Sequence, residues 1–432
     1  MDENIFPDAW KAASVKMLVK PGKDKNEACS YRPISLLSCL GKLFERYIYT
    51  YLMKELTDKK FFNEIQAGFT KGRSQQEHIF RLSQDVNNNM KLRNCTAGLF
   101  LDVKAAFDSV WKSGLKFKIK RIGLTKQMQN ILFSFLDSRT LRVNVNGIWS
   151  EVVSLEAGTP QGSCLSPILY LIYVNDASDG VNQKHLSMSQ FADDIGLWAS
   201  GVQVSEARAK IQGGVDSLQR WCSKWQVTLN PTKSKIVIFT KCPRHKDEIE
   251  RDGFIVKLFN QDIPVTAEAE FLGITFDSRL TWEPQTRKIV AKAYKRLNLM
   301  RILSATSVKQ NPDILAHIYK AIIRPIFEYS ALSMISAANV HLNKLQLIQN
   351  QALRVVLGTP AYVSIKDLHD CSGIKEMKAH LISHAKRRLE ALLKTSPLLH
   401  KTVSDYSQVK HIVENASVLD VLEQEGGLVL SR

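Results

Sequence analysis

A chain of 432 residues, 44% of them hydrophobic, can bury a large core and should hold two or three subdomains. Its 59 Lys and Arg outnumber 42 Asp and Glu, and the formal net charge of +17 implies a polyanionic partner. No apolar stretch approaches the roughly 20 residues a bilayer crossing needs, and Met1-Asp2-Glu3-Asn4 lacks the basic start and apolar core of a signal peptide.

Ser14 to Val19 reads as an apolar strand that Pro21-Gly22-Lys23 ends. Cys39 to Leu56 has a helical pattern with Leu40, Leu43, Phe44, Ile48 and Leu52 on one side, and residues 75–92 give a second helix. Thr96 to Leu101 is a short apolar strand with Asp102 directly at its end, followed by a helix-like stretch through Leu115 and Ile119. Gly158-Thr159-Pro160-Gln161-Gly162-Ser163-Cys164-Leu165-Ser166-Pro167 is a turn-rich loop running into an apolar helix, Ile168 to Val174. In it Gly162 permits close backbone approach, and Gln161 offers an amide that can read or brace a nucleotide.

Leu186 and Met188 alternate with serines, and Ile195, Leu197 and Trp198 follow, so this segment reads as a β-hairpin with Asp193 and Asp194 at its tip. A solvated Asp-Asp turn is the plain reading. In apolar surroundings, though, two adjacent carboxylates are costly without a cation, and a divalent metal is the usual solution. A strand ending in Asp102 and a distant hairpin tipped by two more acids suit two-metal phosphoryl transfer, with ions roughly 4 Å apart serving the attacking 3′-hydroxyl and the leaving pyrophosphate. Val204 to Gln226 is a further helix, expected to back the sheet that carries the acids. From Thr281 a helical region is basic on one face, with Lys288, Lys292 and Lys295 at helical spacing and Arg287, Arg296 and Arg301 nearby. We read that face as a nucleic-acid track rather than a solvated surface. Ile314 to Leu357 gives two more helices, expected as an antiparallel pair. After Gly358-Thr359-Pro360 the pattern weakens, and residues 361–432 read as helical.

The seven cysteines are scattered and form neither a Cys-x-x-Cys pair nor a Cys/His cluster, so they read as reduced thiols of an intracellular protein rather than a zinc knuckle. Most of the ten histidines lie in the last third of the chain, without a matching acidic motif.

Asp102 with Ala106-Phe107, then Pro160-Gln161-Gly162, then Phe191-Ala192-Asp193-Asp194 resemble motifs A, B and C of reverse transcriptases. The ordered set is similar to the polymerases of non-LTR retrotransposons, nearest the jockey-like arthropod elements. Tyr31-Arg32-Pro33-Ile34-Ser35-Leu36-Leu37 resembles the first fingers motif, and Gln66-Ala67-Gly68-Phe69 with Lys71-Gly72-Arg73-Ser74 the second. Trp225 through Leu229-Asn230-Pro231-Thr232-Lys233-Ser234 resembles motif D, and Phe271-Leu272-Gly273-Ile274 with Asp277, Leu280 and Trp282 resembles the hairpin that opens the thumb.

The resemblance implies an α+β right-hand polymerase: fingers and palm over residues 1–283, a helical thumb over 284–358, and a C-terminal helical extension of unassigned role over 359–432. It implies an RNA-directed DNA polymerase that extends a primer 3′ end with deoxynucleoside triphosphates on an RNA template. Two Mg²⁺ ions serve it, with Mn²⁺ as a substitute. No membrane partner is expected. Work as a ribonucleoprotein in cytoplasm and nucleus is expected. Asp102 and Asp193 are the implied metal ligands, together with the Val103 carbonyl, and Asp194 binds less directly. Arg32, Lys71 and Arg73 are candidates for gripping the triphosphate, with Gln161 and Gly162 beside the nucleotide.

Lys233 resembles the lysine that protonates the leaving pyrophosphate, with Lys235 close enough to compete for that assignment. Lys288, Lys292, Lys295 and Arg296 would track nucleic acid. Phe107 takes the place of an aromatic residue whose ring would collide with a ribose 2′-hydroxyl, although it also reads as a core phenylalanine. Phe107 and Ala192 separate this pattern from RNA-dependent RNA polymerases. Asp108 reads as a helix-start acid or salt-bridge partner, not a third ligand. The alternative reading is a catalytically lapsed RNA-binding remnant. Only about a dozen residues precede the first strand, so no endonuclease domain is expected in this chain.

Overall fold

The computed structural model describes residues 4–70, 72–181, 186–305, 311–410, 417–425 and 427. In chain order the first elements are β1 (Ala12–Val19), β2 (Tyr31–Leu36), α1 (Cys39–Asp58), α2 (Gln75–Lys91), β3 (Cys95–Leu101), α3 (Lys112–Ile122) and α4 (Lys126–Leu136). Next come β4 (Thr140–Val145), β5 (Ile148–Trp149), β6 (Val153–Ser154), α5 (Ser166–Val174), β7 (Ser187–Phe191), β8 (Asp194–Gly201), α6 (Val204–Trp225), β9 (Lys235–Phe239) and α7 (Pro243–Asp252). Two small hairpins follow, β10 (Lys257–Leu258) with β11 (Gln261–Asp262) and β12 (Glu268–Phe271) with β13 (Ile274–Asp277). The remainder is helical: α8 (Glu283–Ala305), α9 (Pro312–Ile318), α10 (Arg324–Glu328), α11 (Ala331–Met334), α12 (Asn339–Leu357), α13 (Ile365–Ser372), α14 (Met377–Leu393), α15 (Pro397–Val409) and α16 (Val418–Gln424).

The sheet that positions the site has the order β7-β8-β3-β9 and is antiparallel throughout. Strands β3, β8 and β9 read as largely apolar runs because both faces are covered, and alternate side chains enter different cores. Ala97, Leu99 and Leu101 of β3, Ile195, Leu197 and Ala199 of β8, and Ile236 and Ile238 of β9 join one core with α1, α3, α5 and α6. Phe100, Trp198, Val237 and Phe239 join a second core with α2, the β12–β13 hairpin and the C-terminal helices. As expected from its pattern, α6 packs along β8 and β3. A separate fingers sheet runs β2-β1-β4-β5, with β6 also on β4.

Three features differ from the sequence reading. In α1 the buried face is Gly41, Glu45, Ile48, Leu52 and Leu56, whereas Leu40 and Leu43 are 65% and 67% exposed. The helix is rotated because Gly41 lies against the Trp10 ring, with an added Cβ only 3.1 Å from the Trp10 Cβ. The expected helix pair over 314–357 is broken: a π-helical turn at Tyr319–Ile323 and Pro325 near the start of α10 split its first member. Proline removes one ladder donor, and the wider turn absorbs the mismatch.

Finally, residues beyond 361 share the second core and close over α2. Lys91 pairs with Asp420 at 2.8 Å, Ser396 hydrogen-bonds Glu77, and Arg388 donates to Gln76 and Ser74 at 2.6 and 3.2 Å. No described helix is long and apolar enough to cross a membrane.

Candidate active site

The register of the main sheet brings the acids together. Leu101 pairs with Ile195, so Asp102, one residue beyond the end of β3, lies alongside Asp194, the first residue of β8. Phe191 pairs with Asp194 across the hairpin, which leaves Ala192 and Asp193 as a two-residue turn. Ala192 has φ +55°, the positive value that two-residue hairpin loops call for at their first position.

A buried amide holds that turn. The Gln66 side-chain oxygen accepts from the backbone N–H groups of both Ala192 (3.0 Å) and Gly68 (2.8 Å). The same segment runs beside β7 through Ala67 N–H to the Gln190 carbonyl and Gln190 N–H to the Ile65 carbonyl, each at 3.0 Å. Gly68 has to be glycine, because a Cβ there would sit 2.5 Å from the Ala192 nitrogen.

Electrostatics at the strand ends favour a cation. Asp193 is raised above the ordinary carboxylate range, first by burial and then by the charge of Asp102. Asp194 is pushed up to about 6 by burial of its surroundings, then by Asp193 and Asp102. The one ion pair these three acids make among the described residues is Lys233 Nζ to Asp102 Oδ2, at 3.9 Å. Lys235, the first residue of β9, makes no such pair there. The backbone around Asp102 is fixed by Asn230 N–H to the Asp102 carbonyl and Lys104 N–H to the Thr228 carbonyl, both 2.8 Å. These bonds run from the neighbours of Val103, which bridges Leu229, and leave the Val103 carbonyl out of the ladder.

Phe107 lies between core and site. Its ring is 5.0 Å from that of Tyr170, and its carbonyl accepts from Thr159 N–H at 2.8 Å. Tyr170 is buried, and burial, then Asp193, pushes its hydroxyl pKa well up. The Pro160-Gln161-Gly162 loop reaches the fingers sheet through Ser35 N–H to the Gln161 carbonyl, 2.7 Å. Gly162 sits at φ +121°, and a Cβ on it would meet the Ser35 carbonyl at 2.6 Å. The Gln161 amide nitrogen donates to both carboxylate oxygens of Asp108, at 2.9 and 2.7 Å. Asp108 is therefore not a helix-start acid, since α3 begins at Lys112; among the described residues it makes no salt bridge, and its hydrogen-bond partner is an amide.

The remaining candidates are placed differently. Arg32 is exposed on β2, three residues from the Ser35 contact. Lys71 lies outside the described residues. Arg73 is not free to grip a triphosphate as drawn, because its guanidinium is held by the backbone carbonyls of Asn63 and Gln66, the latter at 2.7 Å. Lys288 pairs with Glu270 and donates to Thr275 Oγ1 at 3.1 Å, so it leaves the open basic face. Lys292, Lys295 and Arg296 are exposed and have no acidic partner within 4 Å among the described residues.

Two supports were missed in the sequence. Glu45 is fully buried, and its Oε2 accepts from Ser163 Oγ and Cys164 N–H, both 2.6 Å, clamping the loop that carries Gln161. A lone acid three residues before Ile48, on a helix face otherwise apolar, was its signal. Tyr329 donates to the Leu272 carbonyl at 2.5 Å, and its pKa is raised to about 12 by burial and then by Asp194. No local pattern marks it.

One end of the main sheet thus carries three carboxylates. The family model for reverse transcriptase (RNA-dependent DNA polymerase) matches residues 20–276, and the chain belongs to that family. It is 31% identical over 402 residues to a probable RNA-directed DNA polymerase from transposon BS of Drosophila melanogaster, covering 91% of this chain and 44% of that protein. It is 32% identical over 368 residues to the RNA-directed DNA polymerase from mobile element jockey of Drosophila funebris, covering 84% and 39%. The chain thus spans less than half the length of these relatives. Apo telomerase from Candida tropicalis superposes with a TM-score of 0.45 at 12% identity, covering 92% of this chain and 69% of that one.

Proposed function

We propose that this chain is the polymerase portion of a jockey-like non-LTR retrotransposon protein and copies RNA into DNA from a primer 3′ end. The observation that carries this reading is the convergence of Asp102, Asp193 and Asp194 at one sheet end, with two of the three held above the ordinary carboxylate range and one distant lysine to offset them. Such a set fits a divalent cation: the donors are hard oxygens, which suit Mg²⁺, and an ion would offset the burial and mutual repulsion that raise Asp193 and Asp194. Asp102 and Asp193 would hold it, with the Val103 carbonyl and Asp194 alongside. Divalent ions bound there supply Lewis acidity toward a primer 3′-hydroxyl and neutralise triphosphate charge.

The chain's own groups do the rest. Gln66 fixes the turn that aims Asp193, and Glu45 fixes the loop that presents Gln161 and Gly162. Phe107, backed by Tyr170, is the candidate ring to meet a ribose 2′-hydroxyl. Lys233, beside Asp102, is placed to give a proton to departing pyrophosphate. Arg32 on β2 is the candidate for the triphosphate, and the exposed Lys292, Lys295 and Arg296 for the template–primer backbone.

The test is primer extension on a homopolymer RNA template with labelled deoxynucleotide in Mg²⁺, repeated in Mn²⁺. Incorporation supports the reading. RNA binding without incorporation in either metal would overturn it.

A further inference from the structure

Apart from the carboxylates, the second core carries a cluster that no polymerase step uses. His380 and His384 stand one turn apart on α14, and i,i+4 side chains share a helix face. Glu328 ends α10 opposite them. One ligand atom from each of the three residues lies within 4.8 Å of the others.

We propose that Glu328, His380 and His384 form a transition-metal site of the zinc class, clasping the thumb helices to the C-terminal helices. Imidazole nitrogens select Zn²⁺, Co²⁺ or Ni²⁺ over the hard Mg²⁺ that suits the palm acids. Zinc bonds of about 2.0–2.1 Å hold tetrahedral ligands roughly 3.4 Å apart, so closing this set takes side-chain rotation rather than backbone movement.

A simple helix tether does not account for all three residues. His380 Nε2 and Glu328 Oε1 are 2.7 Å apart and could be satisfied as a pair. His384 then has no hydrogen-bond partner among the described residues, and Glu328 Oε2 accepts no bond there. The Glu328 and His380 side chains are only 18% and 16% exposed, so an ion would be largely shielded from water. Arg324 Nε lies 3.0 Å from Glu328 Oε1, where it would act as the outer partner of a ligating carboxylate. With Arg387 and Arg388 nearby, it weakens the site relative to a closed four-ligand one. Three protein ligands leave a fourth position for solvent.

What the ion would steady is traceable. Arg388, on the same helix, holds Gln76; Gln76 Nε2 donates to the Tyr329 carbonyl at 3.2 Å; and the Tyr329 hydroxyl holds the Leu272 carbonyl beside the acids. The proposal stands or falls independently of the polymerase reading.

The test titrates chelator-treated full chain with Co²⁺, then displaces it with Zn²⁺. We expect one Co²⁺ per chain with a visible ligand-field spectrum and no thiolate charge-transfer band. It should be lost in His384→Ala and in Glu328→Gln. Zn²⁺ affinity should fall by more than the roughly 10- to 100-fold that loss of an outer-shell partner costs. Metal-free melting and Mg²⁺-dependent extension should be the same in His384→Ala as in the parent. Equal Co²⁺ binding by parent and variants, a thiolate band marking the exposed Cys39 or Cys371 as the ligands, or no bound Co²⁺ in the parent would each overturn the site.

Discussion

Phe107 shows how one side chain serves packing and selection together. Its ring packs on buried Tyr170, and its carbonyl accepts from Thr159 N–H. Phe107→Val should therefore raise the efficiency of ribonucleotide relative to deoxynucleotide incorporation, on the order of tenfold or more, since about 1.4 kcal/mol of discrimination is a factor of ten. Single-nucleotide kinetics with both sugars give the ratio, and an unchanged ratio would make Phe107 a core residue only. At this scale the sequence was most informative. Asp102, Asp193 and Asp194 were legible because short-range pattern places them at strand end and hairpin tip. The commitment of Arg73 to the Asn63 and Gln66 carbonyls, and of Gln161 to Asp108, was not legible. Those contacts depend on how loops fold over one another, not on spacing.

Among the elements, α1 and α8 carry the main consequences. The apolar pattern of α1 suggested a face centred on Leu40, Leu43 and Ile48, but the contacts of Gly41 with Trp10 and of Glu45 with the Ser163 loop set its rotation. Glu45→Ala would leave Ser163 Oγ–H and Cys164 N–H buried without an acceptor, at roughly 1–3 kcal/mol each. Denaturant unfolding should show that loss, and steady-state extension should show a higher KM for deoxynucleotide with RNA binding little changed. On α8, the three open cations are Lys292, Lys295 and Arg296, because Lys288 is spent on Glu270. Replacing those three with Gln should weaken template–primer binding and lower its log–log salt slope by up to about three, since each phosphate contact contributes about 0.9. An unchanged slope would assign the face to solvent.

For the whole molecule, α2 lies between the palm sheet and the helices beyond residue 365, and it buries an unusual number of polar groups. His78 is fully buried, and neither ring nitrogen has a hydrogen-bond partner among the described residues. Burial first, then the charges of Arg81 and Arg73, lowers its pKa to about 3. Its folded form thus binds fewer protons than the unfolded chain between pH 3 and 6.5, so its contribution to stability is lost as pH falls through that window. His78→Leu removes this term. Relative to its own value at pH 7, the variant should lose about 2 kcal/mol less than the parent on going to pH 5. Parallel curves in denaturant titrations at the two pH values would refute that assignment. This closure by the C-terminal helices was the least legible feature, because its contacts, such as Lys91 with Asp420 and Arg388 with Gln76, join residues some 300 positions apart.

The central claim is that the carboxylates at the end of the main sheet do chemistry and do not merely shape a nucleic-acid groove. The direct measurement compares parent, Asp102→Asn and Asp193→Asn in primer extension on RNA and, in parallel, in RNA binding at fixed salt. Each variant should lose at least 99% of incorporation, roughly the 2.7 kcal/mol equivalent of a hundredfold, while binding RNA within about threefold of the parent. A variant that retains a tenth of parental incorporation, or that loses RNA binding in step with extension, would contradict the account.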